Sequence, residues 1–332
     1  MKREEYFRKL RFLLNDLPME DLEQIEDFYL ELFYDGLEQG YSEEEVLNRF
    51  DSPDEVAKKI RAEYGGLVVY TAKGKSQEEK QERQEKQGYG PVDMIHTVKV
   101  QTENVRIRIR TVEDGPVRVY FKPREGQDIV TCEEKDGVFS FEHKMKGTFH
   151  LNWLNLFMEY NAVILELPSS FAGNLWIQTK NGAVKGSGMM NLAQAEITST
   201  NGKIKLENSK IDQLRIKSSN ARIELANMSG SSAAAVAGNG IISAKECRFP
   251  EQITLETQNG TVSGKNLISD CITLQTCNGL VSGSIIGNEN DYNIECSTIN
   301  GFCNLNSVQS PTRTKSLNAK THNGRIQIEF AP

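Results

Sequence analysis

Four histidines (His96, His143, His150 and His322), six cysteines and a scatter of carboxylates are the side chains of this 332-residue chain that could carry chemistry. Hydrolytic or acid–base work needs a nucleophile beside a base that a third group orients, and a metal needs several His, Cys or carboxylate ligands at motif spacing. None of the histidines stands in such an order. Cys132, Cys247, Cys271, Cys277, Cys296 and Cys303 contain no CxxC and no tight Cys/His cluster. Cys271 and Cys296 fall at apolar positions of the repeat described below, so they are read as buried free thiols, with disulfides the alternative. A glycosidase pair would need two carboxylates facing one bond from neighbouring turns. Glu196, Glu224, Glu256 and Glu295 are instead single and mixed with lysines and arginines. Gly186-Ser187-Gly188 lacks the Lys-Ser/Thr of a phosphate loop. The chain is read as non-enzymatic, with no catalytic, metal or cofactor site; a carbohydrate-active enzyme ranks third.

Binding chemistry is better represented. Lys203, Lys205, Arg215, Lys217 and Arg222 fall on consecutive turns of the repeat and are read as a basic patch for an acidic partner, the chain's own N-terminal region included. Acidity is concentrated at the front: residues 1–90 carry 14 basic and 22 acidic side chains, the other 242 carry 25 and 24. With no extended basic stripe, no direct nucleic-acid contact is expected. The run Phe149, Leu151, Trp153, Leu154, Leu156, Phe157 and Met158 is read as a cap on the repeat, with peripheral membrane contact through Trp153, Leu154 and Phe157 as the alternative. No uncharged run reaches the ~18 residues of a spanning helix. The start MKREEYFRKL has no apolar stretch after its charges. The expected location is the cytoplasm, with membrane contact at most peripheral.

The element that must position these residues is a repeat. Asn-Gly recurs at Asn181, Asn201, Asn239, Asn259, Asn278, Asn300 and Asn323, and Asn220-Ala221 fills the one gap, with spacings of 20, 19, 19, 20, 19, 22 and 23. A fixed period of this size marks a solenoid. With each Asn at zero, positions −6 and −4 are apolar, position −2 is Thr or Ser in all but one unit, and positions +3 and +5 are apolar or Gly. Side chains alternate along a strand, so a switch from even to odd inward offsets demands a corner at the Asn. The eight asparagines are therefore read as a structural ladder, each amide bonding its neighbours. Ala221 in the usual Gly place points to Asn220 as the left-handed residue there. Ile326-Gln327-Ile328-Glu329-Phe330 closes the last unit without an obvious cap, which predicts an open edge and either a bent-over strand or an end-to-end homodimer.

The front of the chain has a different period. Tyr6, Leu10, Leu13, Leu14 and Leu17 mark one helix, and Leu22, Ile25, Phe28, Tyr29, Leu32, Phe33 and Leu37 a second. Ser42 with Glu45 forms a capping box for a third, and Ser52-Pro53-Asp54-Glu55 opens a fourth. Residues 1–66 thus read as a small helical bundle, 67–91 as a charged linker, and 92–332 as a parallel β-solenoid with coils of ~20 residues. Within it, 92–170 is an irregular β cap and 171–330 holds the eight repeats.

Two resemblances follow from these segments. YFRKLRFLLNDLP, DFYLELFYDGLEQGYSEEEVLNRF and SPDEVAKKI resemble the bacterial HAAS (DUF1700-type) helical signalling domain, most specifically at Asp35, Gly36, Glu38, Gly40, Ser42, Glu43, Glu44 and Glu45. The chain departs from that pattern at Phe50-Asp51, where the family has Leu-Gly. VILELPSSF leading into LWIQTKNGAVKG, then TSTNGKIKL and TQNGTVSG, is similar to the DUF4097 family, which carries an adhesin label. The first resemblance implies a signalling module tied to PadR-like regulators or membrane signalling components. The second implies a β-solenoid found beside envelope-stress components. Together they imply an interaction scaffold in signalling, with a surface-displayed adhesin as the alternative.

Overall fold

The computed structural model describes residues 3–14, 22, 25, 29–30, 33, 41–64, 68–71, 74–76, 95–124, 126–146 and 162–331. They form two compact units, Met1–Leu67 and Val68–Pro332. In the first, helices span Arg3–Leu13, Glu43–Arg49 and Pro53–Tyr64, and Leu22, Ile25, Tyr29, Leu30 and Phe33 are also helical. The apolar stripe buries Tyr6, Leu10, Leu14, Leu22, Ile25, Phe33, Val46, Val56 and Ile60. The predicted capping box is present, with Ser42 and Glu45 bonding each other's backbone N–H, and Ser52 Oγ accepts from Glu55 N–H at 3.2 Å. At Phe50-Asp51 the chain is extended. Tyr6 donates its hydroxyl to Asp51 O at 2.7 Å, and Phe50 packs against the rings of Tyr6 and Tyr29. Asp35, Gly36, Glu38 and Gly40 lie outside the described residues.

The second unit begins earlier than the charged linker predicts. Val68–Thr71 is a strand that pairs antiparallel with Gly74–Ser76 and with Arg118–Phe121, because Val68, Val69 and Tyr70 supply β-branched and aromatic side chains ahead of the polar run. From there the unit is a solenoid of parallel strands. One sheet is built from the strands before each Asn, the other from the strands after it. Leu175, Ile177, Ala195, Ile197, Leu214, Ile216, Ile253, Leu255, Ile272 and Leu274 fill the core from the first sheet. Val184, Ile204, Leu206, Ile223, Leu225, Ile242, Val262 and Val281 fill it from the second. Like offsets stack in register, as Ile204, Ile223 and Ile242 do, with one shift past Gly264 that sets Leu267 opposite Ile285.

The corners work differently from the expectation. None of the Asn-Gly asparagines is left-handed. The positive-φ non-glycine residues of the repeat are Asn208, Asn227, Glu246 and Asn266, which form a second corner seven positions later. The Asn-Gly glycines answer to crowding, and Gly260 and Gly279 to positive φ as well (152° and 156°). A Cβ on Gly202 would lie 1.9 Å from Gly182 O, and one on Gly324 would lie 1.8 Å from Gly279 O. The Ser/Thr at −2 also holds the corner. Thr179 and Ser199 accept from the N–H of Gly182 and Gly202, while Thr276 and Thr321 donate to the carbonyls of Gly260 and Gly279 on the adjacent coil.

Coil order in space departs from chain order at both ends. A ninth coil is centred on Asn104. It buries Val98, Val100, Thr102, Ile107 and Ile109 at the same offsets, although Val105 follows the Asn. It lies between the coil of Val138–Met145 with Ala162–Pro168 and the coil of Asn174–Thr179 with Val184–Ser187. At the other end Lys315–Ala331 pairs with Cys271–Asn278 and Val281–Ile286 on one side and with Tyr292–Cys303 on the other. The last coil in the chain is therefore the penultimate one in space. The expected open edge at Ile326–Phe330 is flanked by Val281–Ile286, and the carboxamide of Asn304 bonds both Ile328 N and Ile328 O from the other side.

Candidate functional site

The corner asparagines form one continuous file. Each Nδ2 donates to the Oδ1 of the preceding coil, at 2.5–3.0 Å, in the spatial order Asn104, Asn181, Asn201, Asn220, Asn239, Asn259, Asn278, Asn323, Asn300. Asn104 Nδ2 ends the file on Met145 Sδ. Carboxamides engaged with one another on both sides have little capacity left for a ligand.

The five cations of the basic patch do not share one face. Lys203, Lys205 and Arg222 project from the strands after the corner, Arg215 and Lys217 from the strands before it, because the inward parity switches at the Asn. Arg215 sits beside Glu196 in register, and Lys217 between Thr198 and Val236. The structure brings other cations to the first group. Arg108, Lys185 and Lys205 are register neighbours on three successive strands, one row from Arg106, Lys203 and Arg222. Adjacent strands are ~4.8 Å apart, so this is a dense cationic grid. Glu224 neutralises part of it, with Lys203 at 2.8 Å and Arg222 at 3.4 Å, and Lys205 meets Glu207 at 2.8 Å. Burial opposes the charge on Glu224, but Lys203 and Arg222 outweigh it and hold the carboxyl below the usual range. Among the described residues Arg108 and Lys185 have no ion-pair partner. Like charges directly opposite on neighbouring strands are destabilising, so the Arg108–Lys185–Lys205 row costs the fold stability. Arg106 and Arg108 escaped the sequence reading because the Asn104 coil that carries them lacks the Gly that marks the others, and Lys185, an outward cation of the repeat, stayed outside the expected patch because its register partner Arg108 lies on that coil.

The remaining candidates are dispersed. His96 bonds Thr97 and the Asp136 carbonyl, and His322 is exposed. His143 is fully buried with Nε2 3.0 Å from Asp128, whose carboxylate also takes Arg124 at 2.7 Å. Burial opposes charge on Asp128, but the hydrogen bonds from His143 and Arg124 prevail and hold it well below the usual carboxylate range. Phe121 lies 4.9 Å from the His143 ring, so this hydrogen-bonded cluster belongs to the core at the N-terminal end of the solenoid. Cys296 and Cys303 are joined in a disulfide, a correction to the free thiol expected at Cys296. Both occupy inward offsets of one coil and so face each other across its corner. Cys271 is free but only half-buried, a correction to the buried thiol expected there, because it lies one place before the inward Ile272; burial pushes the Cys132 and Cys247 thiols up to about 11. Trp153, Leu154, Phe157 and His150 lie outside the described residues. No helix among the described residues is long and apolar enough to cross a membrane.

A parallel solenoid that presents a charged sheet face from a chain with a separate helical unit defines a repeat-type surface module. The Toastrack DUF4097 family model matches residues 95–265, more than half of the chain, and the chain belongs to that family. The coils of Asn278, Asn323 and Asn300 continue the same architecture beyond the matched segment. The HAAS model matches residues 5–59. A crystal structure described as a "putative cell adhesion protein" from Clostridium sporogenes shares 12% identity, covering 72% of this chain and 95% of that one at a TM-score of 0.23. No curated protein matches the chain.

Proposed function

We propose that this chain is a non-enzymatic interaction protein of envelope-stress-type signalling. In this reading the helical unit binds a regulatory protein, of PadR-like type or a membrane signalling component, and acts in the cytoplasm with membrane contact at most peripheral. The solenoid supplies a rigid face for an acidic protein partner, and copies of the chain associate end to end. The observation that carries the reading is the row Arg108, Lys185 and Lys205, three cations aligned on successive strands with two of them unpaired among the described residues. A sheet face of fixed geometry can hold such a row against an anionic surface without ordering any loop. The test is capture of partners by the full chain and by Arg108→Glu/Lys185→Glu. Loss of an acidic protein from the variant supports the reading, and an unchanged set of captured proteins overturns the grid as its docking site.

One observation favours a second reading, a surface-displayed adhesin. The Cys296–Cys303 disulfide is the chemistry of oxidising compartments. Thiol trapping in intact cells separates the two. Alkylation of Cys296 and Cys303 without prior reduction fits the cytoplasm, whereas protection together with cleavage by added protease fits display.

A further inference from the structure

The solenoid ends, at its C-terminal side, on an edge strand that is half covered and half bare. Tyr292–Cys303 runs unbroken through its corner, and Lys315–Ala331 pairs along its inner side. On the outer side Ile294 exchanges both backbone hydrogen bonds with Val308, and Ser307 Oγ meets Cys296 N and O at 3.0 and 3.1 Å. The cover stops there. Among the described residues nothing pairs with the outer side of 297–303, a stretch without a single charge. Its Ile299 is 72% exposed and Phe302 59%, on either side of Asn300-Gly301. Cys296 and Cys303, joined in a disulfide, bracket this segment. Asn300 donates inward to Asn323, and among the described residues no donor meets its own Oδ1 at this end of the file.

We infer that 297–303 is a self-association edge, paired two-fold and antiparallel with the same segment of a second copy. The inference rests on the end-to-end association proposed above and names its surface and symmetry. Two features select a second copy in this arrangement. Head-to-tail stacking is disfavoured, because the N-terminal end presents antiparallel strands, Arg118–Phe121 followed by Val68–Thr71 on one sheet and Asp128–Lys135 on the other, the last carrying exposed Glu133, Glu134 and Lys135. The bare edge is also self-complementary. A two-fold axis between Asn300 and Gly301 sets Ile299 of each copy opposite Phe302 of the other, an aromatic–β-branched cross-strand pair made twice. An isologous contact of this kind closes at two chains and does not propagate into a filament.

The experiment is light scattering of the full chain over a concentration series, with hydrogen exchange read at each concentration. The expected result is a monomer–dimer equilibrium of roughly micromolar strength, as small interfaces give, with amide protection gained at 298–302. Phe302→Glu and Ile299→Lys should each weaken the dimer ~tenfold or more, and both positions are exposed, so the monomer fold and its melting curve stay unchanged. Ile129→Lys at the opposite end should leave the dimer intact. A dimer that forms without protection at 298–302, or that survives Phe302→Glu, overturns this edge while leaving association through another surface. A monomer at every concentration overturns both and leaves the edge to a strand of another protein.

Discussion

At its N-terminal end the solenoid stops on Asp128–Lys135, an antiparallel strand with Glu133, Glu134 and Lys135 at its exposed tip, laid over a plug of Tyr70, Phe121, Phe139, Phe141 and buried His143. At its C-terminal end it stops on Tyr292–Cys303, a parallel strand whose second half is uncharged and bare, over Tyr292 and Phe330 at 5.3 Å. Both ends solve the problem that a stacked sheet leaves a row of unpaired backbone groups. The first blunts the row with charge and reversed strand direction. The second blunts half of it with Ser307 and Val308 and leaves the rest as a template.

The comparison can be broken most severely at Gly324. A side chain there would collide with Gly279 O, so Gly324→Val must push the last two coils off the stack, at a cost of ~4 kcal/mol or more. Hydrogen exchange should show protection lost across 292–331 and kept at 128–145. Uniform loss would mean that the two ends are not separate units. Next comes acid. Asp128 has a folded value below its unfolded one, so its contribution is complete above about pH 4 and fades as pH falls further. The N-terminal end should loosen first on acidification, and Asp128→Asn should remove that pH dependence while costing ~2 kcal/mol at neutral pH; the readout is the melting temperature of each variant against pH. The smallest effects separate interior from terminus. Asn239→Ala deletes two carboxamide links and should cost ~1–2 kcal/mol, whereas Asn300→Ala deletes one at the rim and should cost ~0.5 kcal/mol. Equal losses by denaturant titration would argue that file position is irrelevant.

The coil itself was legible in the sequence, because one Asn column and four inward offsets repeat with little variation. The coil at Asn104 was not, since Val105 replaces the glycine and a long excursion separates it from Asn181. Nor was the order of coils. Every coil presents the same offsets, so Lys315–Ala331 fits against Cys271–Asn278 as well as any other would, and periodicity carries no information about which neighbour a coil chooses. The disulfide was hidden for a related reason: Cys296 and Cys303 sit where the other coils place core residues, and so read as core. The cation grid was half legible, because a patch drawn from sequence neighbours ignores the corner that sends Arg215 and Lys217 to another face.

The inserted last coil has a consequence for synthesis. A solenoid stacked in chain order can add each turn to a finished surface as the chain emerges. Here that growth halts at the coil of Asn278, because the surface that Tyr292–Cys303 needs is made of Lys315–Ala331, which is translated later. The segment 292–303 reaches its place in the finished stack only after residues beyond it exist. The edge at Ile299 and Phe302 is therefore assembled last, and a nascent chain cut short before residue 315 lacks the strand that this edge rests on in the finished stack.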